Sequence, residues 1–251
     1  MQRRKTAANF AWLERSAARH TPRGFAQALG ATAQSGPAVI AELKKASPSK
    51  GLIRGDFDPV ALAKSLQKGG AAALSVLTDE VFFRGSLDNL SLASSSVEIP
   101  CLRKDFIVDP FQMLEARAYG ADAVLLIAAA LTDVELRTLS EAAHARSLDV
   151  LCEVHDRQEL DRVAYLGCEA YGVNSRNLKT FEVNLATFTE LIEFLPRNSV
   201  KVAESGIHTS EDIRGLREAG YDAFLIGESL MRCPDPGSAL AELLSPVAHP
   251  A

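Results

Sequence analysis

From about residue 38 onward, hydrophobic and polar positions alternate in a regular long rhythm. Short runs rich in Val, Ile and Leu are separated by longer segments whose apolar residues recur at helical spacing. The short runs predict strands at residues 39–44, 73–77, 99–104, 123–128, 150–154, 170–174, 200–204 and 223–226. The longer segments predict helices that include 59–68, 110–119, 132–146, 157–166, 185–195 and 210–219. Several of these open on capping pairs, Asp58-Pro59, Asp109-Pro110, Thr132-Asp133 and Thr209-Ser210. Gly69-Gly70, Gly120, Gly167 and Gly220 stand where a helix should stop before the next strand.

The strand runs are apolar throughout rather than alternating, as expected of strands buried on both faces of a parallel sheet. Eight strand–helix units fit a single (β/α)₈ barrel. A doubly wound sheet is the alternative, but no GxGxxG turn follows the first strand. The barrel is expected over residues 39–251. Residues 1–38 form a helical extension in which Phe10, Leu13 and Ala17 share one face. No linker or low-complexity stretch divides the chain, so one domain is expected overall.

The predicted strand ends carry the polar groups that break the pattern. Residues two apart on a strand share a face. Glu42 and Lys44 therefore point the same way at the end of the first strand, as do Asn174 and Arg176 at the sixth. Lys104, Glu153 and Glu204 end the third, fifth and seventh strands. Five strands thus place charge or amide where only the mouth of a barrel can hydrate it, and that mouth is where barrel enzymes keep their chemistry. Lys45, Arg103 and Lys201 have the opposite parity and read as structural or exposed. The last two strands run into the turns Glu204-Ser205-Gly206 and Gly227-Glu228-Ser229, at the location where many barrels bind phosphate.

Composition narrows the possibilities. The 251 residues carry a formal charge of −5, which offers no general attraction to a polyanion, so no nucleic-acid partner is expected. No apolar run reaches the ~18–20 residues that span a bilayer, and no membrane partner is expected either. Cys101, Cys152, Cys168 and Cys233 are scattered without CxxC or Cys/His spacing. They read as reduced thiols of a cytoplasmic protein that uses neither a metal nor a disulfide framework. The Arg-rich first twenty residues overlap in composition with organellar transit peptides, and the leading-helix reading stands beside that one.

Seven segments together resemble indole-3-glycerol phosphate synthases: IAELKKASPSKGLI (40–53), LSVLTDEVFFRGS (74–86), LRKDFIVDPFQ (102–112), ADAVLLIAAALT (121–132), GVNSRNLKTF (172–181), VKVAESGI (200–207) and AFLIGESLMR (223–232). The resemblance runs from about residue 22 onward. KKASPSKG and LRKDFI are its most specific strings. It implies a cofactor-free, decarboxylating and dehydrating ring closure of 1-(2-carboxyphenylamino)-1-deoxyribulose 5-phosphate in tryptophan biosynthesis, with that small phosphorylated molecule as the partner. Neither the residues nor the resemblance sets the oligomeric state, for which a monomer is favoured.

Carried over by motif, Lys104 resembles the general acid for ring closure and Glu153 the acid/base for dehydration. Lys44 resembles the carboxylate-orienting group, with Ser47 and Arg176 beside it. Glu42 and Asn174 would orient the lysines and the nascent hydroxyl, and Glu204 matches a further site residue. Phe83, Phe106, Leu125 and Leu178 would wall the anthranilate slot, and Ser205, Gly206, Gly227 and Ser229 would cradle the phosphate. Asn177 stands where the family often has Asp, which removes a carboxylate beside Arg176. Two rivals use the same residues: a Schiff-base aldolase acting through Lys44 or Lys104, which would need an uncharged amine, and a phosphate binder without catalysis.

Overall fold

The computed structural model describes residues 2–178 and 180–245; the end of the expected barrel segment, 246–251, lies outside them. Helices α1 (Gln2–Ala7), α2 (Phe10–Arg19) and α3 (Phe25–Ala33) precede strand β1 (Ala38–Leu43). A two-stranded hairpin, β2 (Ala46–Ser47) and β3 (Gly51–Leu52), follows. The chain then runs through α4 (Pro59–Lys68), β4 (Ala73–Leu77), α5 (Leu87–Ser94), β5 (Cys101–Lys104), α6 (Phe111–Ala118), β6 (Ala123–Ile127), α7 (Asp133–His144), β7 (Asp149–Val154), α8 (Arg157–Val163) and β8 (Ala170–Asn174). It ends with α9 (Ala186–Leu191), β9 (Val200–Glu204), α10 (Ser210–Ala219), β10 (Ala223–Ile226), α11 (Glu228–Arg232) and α12 (Pro236–Leu244).

Strands β1, β10, β9, β8, β7, β6, β5 and β4 pair in that order, all in parallel, and close on themselves. The expected barrel is therefore present. Boundaries differ where local chemistry intervenes. The third barrel strand begins at Cys101 rather than residue 99, because Pro100 has no N–H to give to a ladder. The helix expected over 185–195 ends at Leu191 and tightens into a 3₁₀ turn. Pro196 forces Leu195 into an extended conformation (ψ 142°) and stops it. Helix α5 escaped the periodicity because it is rich in Ser and Asn; its start is fixed by Ser86, whose hydroxyl accepts from Asn89 N at 3.0 Å.

Side-chain parity sorts the strands into two apolar cores. Outward residues such as Val39, Leu74, Val124, Val150, Val173 and Phe224 pack beneath the helices. Inward residues, among them Ile40, Leu102, Leu125, Leu151, Val202 and Leu225, fill the barrel. The same inward series ends, at the C-terminal rim, in Glu42, Lys104, Glu153, Asn174 and Glu204. The interior is thus apolar at its base and ionic at its top.

The N-terminal helices close the base and brace one side. Helix α2 packs on α6, with Phe10 against Phe111 (centroids 5.2 Å apart), Trp12 against Tyr119 (5.3 Å), and Leu13 and Ala17 buried between. Arg23 and His20 then grip the fully buried Asp122, which also accepts from Cys101 N. Beyond that clamp, Phe25 and Leu29 of α3 plug the barrel interior and have no exposed surface.

Truncating the plug should therefore cost stability and leave the distant rim intact. Phe25→Ala is expected to lower the unfolding free energy by roughly 3–5 kcal/mol, the usual cost of emptying a buried aromatic site. Denaturant unfolding checks the loss, and turnover at a temperature where the variant is folded should be unchanged.

Candidate active site

The barrel mouth opens into a cavity of about 420 Å³. Its floor is the ionic layer. Lys104 Nζ donates to Glu153 Oε2 at 3.1 Å and to Glu204 Oε2 at 3.0 Å, so one ammonium bridges strands β5, β7 and β9. Asn174 Nδ2 donates to Glu153 Oε1 at 3.1 Å. Lys44 pairs with Glu42 at one edge of the same layer. Glu42, Glu153 and Glu204 are each at most 2% exposed.

This crowding decides the protonation states. Burial alone would strip Lys104 of its proton, but Glu204, Glu153 and Glu42 together outweigh it and hold the ammonium far above an ordinary lysine. Burial opposes ionisation of Glu153, yet Lys104, His155 and Asn174 keep its carboxyl well below the usual range. Glu204 goes the other way. Burial, with repulsion from Glu153 and Glu42, beats the pull of Lys104 and pushes it up to about 7. The floor therefore holds a permanent cation, a permanent anion and a carboxyl that changes charge near neutrality. A Schiff base at Lys104 has no uncharged amine to start from.

Two glycines make the packing of carboxylates possible. A Cβ on Gly172 of β8 would collide with Glu204 Oε1, and one on Gly227 would collide with Glu42. Gly227 was anticipated as a phosphate residue only, and Gly172 was not anticipated at all. Its signal in the sequence is a glycine in the middle of an apolar strand, which marks a close approach.

The walls are apolar on one side. Phe83 and Phe106 face each other with centroids 6.4 Å apart, and Leu125 and Leu178 also line the cavity. Phe82, at 6.1 Å from Phe106, and Phe181 line it too, although sequence reasoning did not single them out. Phe82 and Phe83 are held by Asp79, whose carboxylate accepts both of their backbone N–H groups. Phe106 is fixed from beneath. Arg103 is fully buried on the outside of the barrel and binds Asp105 Oδ2 at 2.8 Å, the carbonyl of Gln112 and Glu115, while Asp105 Oδ1 accepts from Phe106 N.

On the other side, Ser205 (φ 71°) and Gly206 (φ 74°) turn consecutively through the left-handed region after β9. Both residues line the cavity. Gly206 is doubly required, because a Cβ there would also strike Val183 and Leu185. Gly227 caps the short helix α11, and Ser229 lies in its first turn facing the cavity. The buried Ser47 hydroxyl borders the same space without a hydrogen-bond partner. Arg176 also lines it; its backbone N–H donates to Asn174 Oδ1 at 3.0 Å and its guanidinium to the carbonyl of Phe181 at 3.1 Å. All sixteen anticipated site residues thus border one cavity. Among the described residues no cluster of ligands could hold a metal ion, no helix is long and apolar enough to cross a membrane, and the four cysteines are unpaired.

Comparison with known proteins agrees with this geometry. The sequence profile of the family "Indole-3-glycerol phosphate synthase" matches residues 1–243. An indole-3-glycerol phosphate synthase of Koribacter versatilis is 63% identical over 96% of this chain and 93% of that protein. The one from Albidiferax ferrireducens is 53% identical over 89% of this chain and 85% of its own. Among solved structures, a mutant tryptophan synthase α-subunit from Pyrococcus furiosus superposes with a TM-score of 0.65 at 15% identity, covering 83% of this chain and 98% of that one, and so shares the fold. Taken with the rim chemistry, these matches show that the chain belongs to the indole-3-glycerol phosphate synthase family, decarboxylating lyases of tryptophan biosynthesis.

Proposed function

We propose that the cavity binds 1-(2-carboxyphenylamino)-1-deoxyribulose 5-phosphate with its phosphate on the Ser205-Gly206 turn and the Gly227-Ser229 helix start, and its aryl ring among Phe83, Phe106, Leu125 and Leu178. The observation that carries the reading is the Lys104 ammonium held between Glu153 and Glu204 at the floor of a cavity with one apolar wall. The Lys104 ammonium is placed to donate a proton to the ketone oxygen as the ring carbon attacks it. The same cation stabilises the oxyanion that develops there.

Lys44, with Ser47 and Arg176, then holds the substrate carboxylate. Glu42 fixes Lys44 through their ion pair. The aryl slot offers no hydration to that carboxylate, so its departure as neutral CO₂ is favoured over its retention. Glu153 is anionic in the resting protein. It therefore acts first as a base, taking a proton from the ring, and then returns it to the departing hydroxyl. Asn174 keeps the Glu153 carboxylate oriented and lies within reach of the nascent hydroxyl. Glu204 confines Lys104 to the correct side of the site.

We further propose that residues 39–251 form the catalytic barrel and 1–38 its brace, and that the enzyme works as a monomer in the cytoplasm. The unpaired thiols support that compartment.

Four variants test the assignment. Lys104→Ala and Glu153→Gln should each reduce kcat by at least ~10², the scale of a lost general acid or base, with inhibitory product binding retained; near-normal turnover of either would remove its role. Ser229→Ala should raise KM roughly tenfold, the worth of one charge-assisted hydrogen bond, with kcat little changed; an unaltered KM would place the phosphate elsewhere. Gly172→Ala touches no substrate, but it displaces Glu204 from Lys104. It should lower kcat by roughly 10²-fold, as an ångström-scale misplacement does, while circular dichroism shows the fold intact.

A further inference from the structure

The aromatic side of the cavity is built from two segments, and they are anchored differently. On one, Thr78 N donates to the Lys104 carbonyl at 3.0 Å, just past the end of β4. Asp79 then takes the backbone N–H groups of Phe82 and Phe83. On the other, Phe106 stands in the irregular segment between β5 and α6, where no ladder holds the chain. Its side chain is 42% exposed, so packing alone does not fix the ring, and its angle follows the backbone that carries it. The neighbouring Ile107 pins one point of that segment in the outer core. Rotation about that point has to be stopped by something else.

One buried side chain does this. Gln112, in the first turn of α6 and 2% exposed, reaches back over the segment. Its Oε1 accepts from Val108 N at 2.8 Å and from Asp109 N at 3.1 Å, and its Nε2 donates to the Phe106 carbonyl at 3.1 Å. Two backbone donors and one backbone acceptor thus meet one oxygen and one nitrogen, a pattern that a carboxamide matches and a carboxylate or an ammonium does not. Arg103 holds the amide in turn, since its Nη1 donates to the Gln112 carbonyl at 2.8 Å. Asp105, also bound by Arg103, takes the Phe106 N–H. Both backbone polar groups of Phe106 are therefore engaged, the N–H by Asp105 and the carbonyl by Gln112. Gln112 itself does not line the cavity.

We propose that Gln112 is a positioning residue for the aryl end of the substrate, its carboxamide setting the angle of Phe106 opposite Phe83. This rests on the reading above, in which the aryl ring lies among those side chains. Gln112 acts through Phe106 and touches no substrate. Its influence is accordingly confined to ligands that carry an aryl group. The phosphate end is built on the turn after β9 and on α11, which share no backbone with residues 105–109. A residue that merely stabilised α6 would act on the whole barrel and on both ends alike.

Two competing ligands separate these cases: indole-3-glycerol phosphate, which has the aryl group, and glycerol 3-phosphate, which lacks it. Gln112→Met keeps the side-chain length and loses all three hydrogen bonds. The inhibition constant of indole-3-glycerol phosphate should then rise about tenfold, the scale of a misplaced aromatic contact, while that of glycerol 3-phosphate stays unchanged. Gln112→Asn keeps the amide but withdraws it by one methylene. It should raise the first constant alone as well, and it serves as the test if the methionine variant does not fold. Added to Phe106→Ala, Gln112→Met should have no further effect. A parallel rise in both constants, a rise in neither, or an equal loss in the Phe106→Ala background overturns the proposal. Phe106→Ala alone checks the underlying reading. If it leaves the affinity for indole-3-glycerol phosphate intact, the aryl slot lies elsewhere and the role of Gln112 falls with it. If it weakens that affinity and neither Gln112 variant does, the slot stands and Gln112 alone is wrongly assigned.

Discussion

The structure turns on a buried ammonium held between two carboxylates. Isolated charges of this kind are expelled from protein interiors, and even paired ones recover their hydration only when every remaining lone pair and proton is engaged. At the barrel mouth, Lys104 engages Glu153 and Glu204 while Glu153 also accepts from Asn174. Four strands must be in register for those contacts to exist. The parallel ladders that set this register are closed by the apolar interior beneath, which is sealed in turn by Phe25 and Leu29. The plug at one end therefore stabilises the cylinder as a whole, and the rim at the other end keeps its geometry for as long as that cylinder is folded.

A carboxylate layer with more anions than cations does not relax to uniform ionisation. The excess falls on whichever carboxyl is least compensated. Glu153 has Lys104, Asn174 and His155 around it, whereas only Lys104 donates to Glu204. This asymmetry, more than the identity of the residues, gives two glutamates on neighbouring strands opposite behaviour. It is also the reason Glu153, in the proposed mechanism, acts as a base before it acts as an acid.

Much of this was legible in the chain because a barrel converts sequence periodicity into geometry. Once each strand is known, parity puts Glu42, Lys44, Lys104, Glu153, Asn174 and Glu204 on the inner face without any knowledge of contacts. Parity also put Arg103 outside, where it is buried beneath α6 as part of the support for Phe106. What stayed hidden were features that depend on approach between strands. Gly172 looks like a weak point in an apolar run until Glu204 is seen to occupy the space its side chain would need. His155 follows the strand in VLCEVH, and nothing in the sequence singles it out. Its meaning comes from Glu159, four positions later on the next helix, which turns the ring toward Glu153. Phe82 and Phe181 sit in loops whose course no periodicity encodes.

The two ends of the substrate place opposite demands on the site, and the chain meets them with different materials. In the proposed binding mode the phosphate keeps its charge throughout, so the fixed backbone dipoles of the Ser205-Gly206 turn and the start of α11 suffice. The carboxylate must lose its charge. A site that solvated it as well as water does would stabilise the ground state along with everything else and gain no rate. Long, mobile cations answer that need better than a rigid nest. Lys44 and Arg176 lie on segments just beyond the ends of β1 and β8, whereas Lys104 closes its strand. The proposed proton donor is thus built into the rigid rim, and the groups proposed to release their ligand are carried on the loops. The distribution of lysines between strand and loop follows from which interactions must persist through the transition state and which must not.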